Sequence, residues 1–133
     1  MAAKKIGYWA VTGLVAFAFV AGGAMDLMAP PDFAAQMAHL GYPAYLATIL
    51  GVWKIAGAAA IVAPKMPRVK EWAYAGMFFD LTGAAASHAF SHDGVGKVLT
   101  PLVLLGFVLA SWALRPAGRS SAAKDETRAL ATA

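Results

Sequence analysis

Four long apolar stretches, separated by short polar breaks, dominate the hydropathy pattern of the chain. They cover residues 6–28, 45–63, 71–90 and 97–114. At about 1.5 Å per residue, a helix of this length crosses a hydrocarbon core of about 30 Å. Only helices and closed barrels satisfy the backbone in lipid, and these stretches are too long and too continuously apolar for barrel strands. The pattern therefore predicts an all-α integral membrane protein, a four-helix bundle with four spans.

A shorter amphipathic segment follows the first predicted span. Pro30 and Pro31 end that span, because proline has no backbone N–H to donate. Asp32 is placed to cap a helix over residues 33–40, which Gly41 would end. The apolar residues of this helix share one face. The pattern predicts a short interfacial helix between spans one and two.

The chain ends in a segment of different composition. Residues 117–133 are small, polar and mixed in charge, which predicts a disordered cytoplasmic tail. The length of 133 residues indicates one domain, so residues 1–116 form the predicted membrane domain. A cleaved secretory signal peptide is the alternative interpretation of the first apolar run, but the run is long for one.

The charge distribution supports the membrane interpretation and gives an orientation. Only 14% of the residues are charged, against about 25% in soluble domains. Six of the eleven Lys and Arg residues lie at the chain ends and three more in the loop 65–70. This clustering is typical of membrane topology rather than of nucleic-acid binding. By the positive-inside rule, both termini face the cytoplasm, and we expect a multi-pass membrane protein.

Lys54 and Asp80 are isolated charges near the middle of two predicted spans. An unpaired ion at that depth costs several kcal/mol, so we expect a pair or a polar site. Asp26 and His88 lie near the outer ends of their spans. Their positions predict a second group of polar side chains at similar depth, the outer polar level, with His92 and His39 beside it. Three roles for these charged residues stay open: a proton relay, a polar cavity for a ligand headgroup, and a buried salt bridge that only fixes helix register.

His88 and His92 have the i, i+4 spacing that places two imidazoles on one helical face, as zinc sites do. The pattern is weak, because the helix is expected to end near Ser91 and no third ligand is fixed. We therefore expect no metal site, with His88 and His92 as weak candidates. The chain has no cysteine, which excludes disulfides, thiolate metal sites and cysteine redox chemistry in this subunit.

Three motifs resemble the DoxX-like family of small bacterial membrane proteins, and the resemblance covers about residues 6–116. They are His39-Leu40-Gly41-Tyr42-Pro43 through Leu50-Gly51-Val52-Trp53-Lys54, the run Trp72–Ala84 with Ser87-His88, and the opening Tyr8-Trp9 with Thr12-Gly13. The resemblance implies a four-helix membrane bundle and carries Lys54, Asp80 and His88 over as family features. Many relatives have a lysine near the end of the first span, where this chain has Asp26.

Some members of the family are linked to quinone-reducing complexes such as thiosulfate–quinone oxidoreductase, and others to oxidative stress. The resemblance therefore implies a subunit or a small-ligand module of a membrane redox or stress-response system, with a quinone as the candidate ligand. We do not expect an enzyme acting alone. A membrane oxidoreductase partner and a homo-oligomer are the candidate assemblies. A small proton or solute transporter and a purely structural membrane partner are the alternatives.

Overall fold

The computed structural model describes residues 2–116 and 121–133, with side chains described for 2–116 and 126–133. Every regular element in these residues is a helix, which confirms the predicted all-α class. The elements are α1 (Ala2–Met28), α2 (Pro31–His39), α3 (Ala44–Val62), α4 (Pro67–Phe90), α5 (Val95–Ala113) and α6 (Ser121–Thr132).

The four long helices pack around one apolar core. Helix α1 packs against α3 and α5, and α4 packs against α5 and α3. The chain reverses direction at each short turn, so α2 and the α4–α5 turn lie at one end, which we call the α2 end. We call the opposite end the termini end, because α1 begins and α5 ends there. The buried core consists of Val15, Phe19, Ala58, Ile61, Tyr74, Met77, Leu81 and Val108.

Among the described helices, α1, α3 and α5 are long and apolar enough to cross a membrane. Helix α4 is also long, at 24 residues, but it is not among them. Polar residues within it, including Glu71, Asp80 and His88, lower its mean hydropathy. The predicted third span, residues 71–90, which corresponds to α4, is therefore not confirmed by this criterion. Helix α4 still exposes large apolar side chains, with Phe79 at 69% and Phe90 at 86%, which suits contact with lipid.

The ends of the short helix α2 test the capping predictions. Gly41 has a φ of +82°, a conformation that glycine adopts without steric cost, and it ends the helix as predicted. The expectation that Asp32 caps the helix was wrong. The helix already begins at Pro31, so Asp32 lies in its first turn and makes no capping hydrogen bond. Proline is favoured at the first position of a helix, because the N–H that proline lacks is not needed there.

The C-terminal segment contains helix α6 over Ser121–Thr132, in part of the stretch for which the sequence predicted disorder. Several alanines and the absence of glycine and proline favour a helix in this stretch. Residues 117–120 of the predicted disordered tail lie outside the described residues. The division into a membrane domain and a tail stays a prediction.

Candidate functional site

Two glycines allow α1 and α3 to approach closely. A Cβ atom built on Gly51 would lie 2.8 Å from the carbonyl oxygen of Gly23, and one built on Gly23 would lie 2.9 Å from that of Gly51. Neither position has room for a side chain, and such small residues let helix backbones meet in membranes. Asp26 follows Gly23 by three residues and Lys54 follows Gly51 by three. The contact therefore brings these two charges together.

Asp26 and Lys54 form an ion pair, with 2.8 Å between Nζ and Oδ2. The carboxyl side chain is 4% exposed and the lysine side chain 21%. Helical side chains lean toward the N-terminus of their helix, which directs Lys54 toward the α2 end, where Asp26 lies. The approach does not have hydrogen-bond geometry, so Oδ2 of Asp26 accepts no hydrogen bond within the described structure. Charge attraction therefore holds this pair.

Asp80, which the sequence placed at the depth of Lys54, lies beside this pair without joining it. In the described part of the chain, Asp80 forms no ion pair within 4 Å, whereas the charges of Lys54 and Asp26 act on its carboxyl group. The cluster thus contains two carboxyl groups and one ammonium group, and the ammonium group pairs with Asp26. Such a cluster can accept a proton or offer a polar group to a ligand.

A groove of about 540 Å³ lies between α3 and α4 and ends at this cluster. Lys54 and Asp80 are the charged residues of its wall, and the remaining lining residues are apolar or glycine. The lining runs over 50–60 of α3 and 69–80 of α4, so the groove extends from the cluster toward the termini end. It opens sideways, beside the exposed rings of Trp53 and Trp72. Its volume is within the range of small-molecule sites, about 300–1,000 Å³.

A second polar cluster lies at the α2 end. His39 Nε2 donates to Oδ1 of Asp93 at 2.8 Å, and His88 Nδ1 donates to Oδ2 at 2.7 Å. These bonds, first that of His88 and then that of His39, lower the pKa of the Asp93 carboxyl group. The carboxylate therefore binds one imidazole from α2 and one from α4. The sequence predicted a turn at Asp93 but not these partners.

The outer polar level predicted from the sequence is divided in the structure. Asp26 pairs with Lys54, whereas His88 pairs with Asp93, so these two residues have separate partners. His92 lies beyond the end of α4 with a φ of +58°, so it does not share a helical face with His88. Within the described residues, no group of three metal-ligating side chains has an arrangement that could hold a metal.

Two basic residues that the sequence assigned to loop and tail charge are buried at the termini end. Lys70 is 0% exposed, and its Nζ donates to the carbonyl oxygens of Ala60 and Ala63 at the end of α3. A cation at this position complements the helix dipole. Arg115 pairs with Glu71 at 2.7 Å. These residues therefore stabilise helix ends as well as adding positive charge at this end.

A buried hydrogen-bond network joins three helices near the termini end. Ser111 of α5 bonds the hydroxyl of Thr12 at 2.6 Å and that of Tyr74 at 2.7 Å. All three side chains lie in the core. Buried hydroxyl groups need such partners, and the network fixes the relative positions of α1, α4 and α5.

We expect Tyr74→Phe to lower the free energy of unfolding by about 1 kcal/mol, because it removes one buried hydrogen bond. Ser111 keeps its bond to Thr12, which limits the loss. Tyr45→Phe is the control, since Tyr45 is 68% exposed and should be neutral. Denaturation of both variants in mixed micelles, followed by circular dichroism, measures the difference. Equal effects of the two substitutions would contradict the network.

A model of the DoxX-like family matches residues 10–111, most of the chain. No curated protein matches the chain, and no solved structure does. The match agrees with the resemblance seen in the sequence motifs, and it includes Asp26, Lys54, Asp80 and His88. With three helices long and apolar enough to cross a bilayer, the protein is a multi-pass membrane protein. The chain belongs to the DoxX-like family.

Proposed function

We propose that this DoxX-like protein is a membrane-embedded binding module for a small lipid-soluble molecule, which occupies the groove between α3 and α4. The observation that carries the proposal is an apolar groove that opens sideways and ends at two charged groups, Lys54 and Asp80. Ligand sites are typically apolar with a few convergent polar groups that fix orientation. An opening toward lipid would admit a molecule that partitions into the bilayer.

We propose a four-helix bundle as the membrane arrangement, in which α4 spans the bilayer beside α1, α3 and α5, and α2 is an interfacial helix. Helix α4 packs between α3 and α5, which are both candidate spans, and it exposes large apolar side chains. The positive-inside rule then places the termini end, with Lys65 and Arg68, on the cytoplasmic side of a bacterial inner membrane. The α2 end faces outward in this arrangement.

A quinone is the ligand class that we propose for the groove. The site's donor set fits a quinone ring: Lys54 Nζ can donate to a carbonyl oxygen, and the Asp80 carboxyl group can exchange a proton with a hydroxyl group. The apolar walls fit the ring and the start of an isoprenoid tail. A bound quinone would supply two-electron redox chemistry, for which a partner oxidoreductase would provide the electrons. The protein would act as a subunit of a membrane redox or stress-response system.

We expect Gly76→Leu to abolish ligand retention without unfolding the protein. Gly76 lines the groove, and a Cβ atom built on it meets nothing within 4 Å, so a leucine side chain can fill the groove. The readout is native mass spectrometry of protein extracted gently from its own membrane, followed by identification of bound lipids and quinones. The wild type should retain a distinct ligand, and Gly76→Leu should lose it.

Gly83→Leu is the matched control. Gly83 lies on the same helix, has equal space around it and is not part of the groove wall, so this variant should retain the ligand. Asp80→Asn should weaken retention, because it changes the polar end of the groove. A wild-type protein without any distinct bound molecule would overturn the proposal. That result would favour a structural role, which the close Asp26–Lys54 pair also supports.

A further inference from the structure

We propose that His39, Asp93 and His88 form a pH-tightened clamp that fastens α2 to the α4–α5 turn at the α2 end. The two imidazoles bind different oxygens of one carboxylate, at 2.8 and 2.7 Å. His39 is the last residue of α2, and Asp93 lies in the turn between α4 and α5. The bonds therefore join segments that are 54 residues apart in the sequence.

A second contact reinforces the same connection. The hydroxyl of Tyr42, just after α2, forms a hydrogen bond with the hydroxyl of Ser87 on α4. The connection from α1 through α2 to α3 is thus held against α4 on both sides of Gly41, whose positive φ allows the chain to turn. The position of α2 depends on these polar contacts as well as on the packing of Met37, its one buried residue.

The chemistry of the cluster makes its strength depend on pH. A neutral imidazole donates one N–H to the carboxylate, and protonation adds a charge attraction between the donor and the negatively charged acceptor. Imidazole groups in general gain this proton between about pH 8 and 5. The pKa of Asp93 is lowered by its two histidine partners, so its carboxylate persists throughout that range. The clamp tightens as the pH falls from 8 to 5, and it fails only below the lowered pKa of Asp93.

The other charged group that acts on Asp93 does not change this direction. Lys97, in the first turn of α5, also acts on the carboxylate. Lysine keeps its charge across the range in which imidazoles titrate, so its contribution is constant. His92 precedes Asp93 directly but is exposed, in the left-handed conformation, and makes neither bond of the cluster. The imidazoles that bind the carboxylate are therefore those of His39 and His88.

The test is hydrogen–deuterium exchange of the full chain in nanodiscs, measured for the α2 backbone between pH 8 and 5.5. After correction for the intrinsic exchange rate, protection of α2 in the wild type should rise about fivefold as the pH falls, in line with one strengthened hydrogen bond. His39→Gln should remove this rise. His92→Asn should keep it, since asparagine tolerates the left-handed conformation.

Asp93→Asn keeps the result decisive if His39→Gln does not fold. An amide in place of the carboxylate keeps one acceptor oxygen but has no negative charge to attract an imidazolium, so most of the pH dependence should be lost. A wild type without a pH-dependent rise overturns the clamp. A rise of undiminished size in Asp93→Asn, or one that His92→Asn removes, also overturns it. This test does not depend on ligand binding in the groove.

Discussion

Lys54→Met is expected to lower the free energy of unfolding by about 3–5 kcal/mol, because it leaves Asp26 as a buried carboxyl group without its cation. Asp26 is 4% exposed, so neither water nor lipid headgroups can replace the lysine. Titration with a denaturing detergent in mixed micelles, followed by far-UV circular dichroism, measures the loss. Lys97→Met is the control, since Lys97 is exposed and lies outside the pair.

The partner of Lys54 is tested by comparing the two aspartates. Asp26→Asn should destabilise the protein strongly, whereas Asp80→Asn should have a smaller effect on stability, because Lys54 contacts Asp26 and not Asp80. Asp26→Leu combined with Lys54→Met should recover most of the stability, as replacement of a whole buried pair by apolar side chains often does. Equal losses in Asp80→Asn and Asp26→Asn would show that Lys54 is shared.

The helices and the need of Lys54 for a polar partner could be predicted from the sequence, but the identity of that partner could not. Counting residues from the span ends placed Lys54 and Asp80 at the same depth. It placed Asp26 nearer the outer surface. That count treats all span ends as equally deep and ignores the length and direction of a lysine side chain. The glycine contact decides which neighbour is close. The two glycines of this contact, Gly23 and Gly51, lie on different helices, so the pattern of a single helix does not relate them.

The polar clusters at the two ends show the same limit. His39 and Asp93 are 54 residues apart, and Thr12 and Ser111 are 99 apart. Their local patterns indicate only a helix end, a turn or a span. Position at the same end of the protein could be inferred from the predicted topology. The contacts themselves could not be inferred, because the direction in which each side chain points depends on the packing of all four helices.

Gly23→Ala is expected to destabilise the protein by about 1–3 kcal/mol, the usual range for an overpacked site. The added Cβ would lie 2.8 Å from Ile55 Cγ1 and 2.9 Å from the carbonyl oxygen of Gly51. A backbone atom cannot move aside as the end of a side chain can. The helices α1 and α3 would therefore separate, which also lengthens the Asp26–Lys54 contact.

Gly22→Ala is the matched control, one residue earlier on the same helix. Its added Cβ would lie 4.0 Å from the nearest atom, Lys54 Cδ, which is an ordinary contact, so this variant should be neutral or slightly stabilising. The same detergent titration compares the two variants. If Gly23→Ala costs no more than Gly22→Ala, then α1 and α3 are farther apart than the structure has them. Because the ion pair depends on that approach, Gly23→Ala should also reduce the further loss caused by Lys54→Met. Such coupling between the glycine contact and the Asp26–Lys54 pair would show that helix packing holds the two charges together. Two charges that only lie at similar depth would show no coupling.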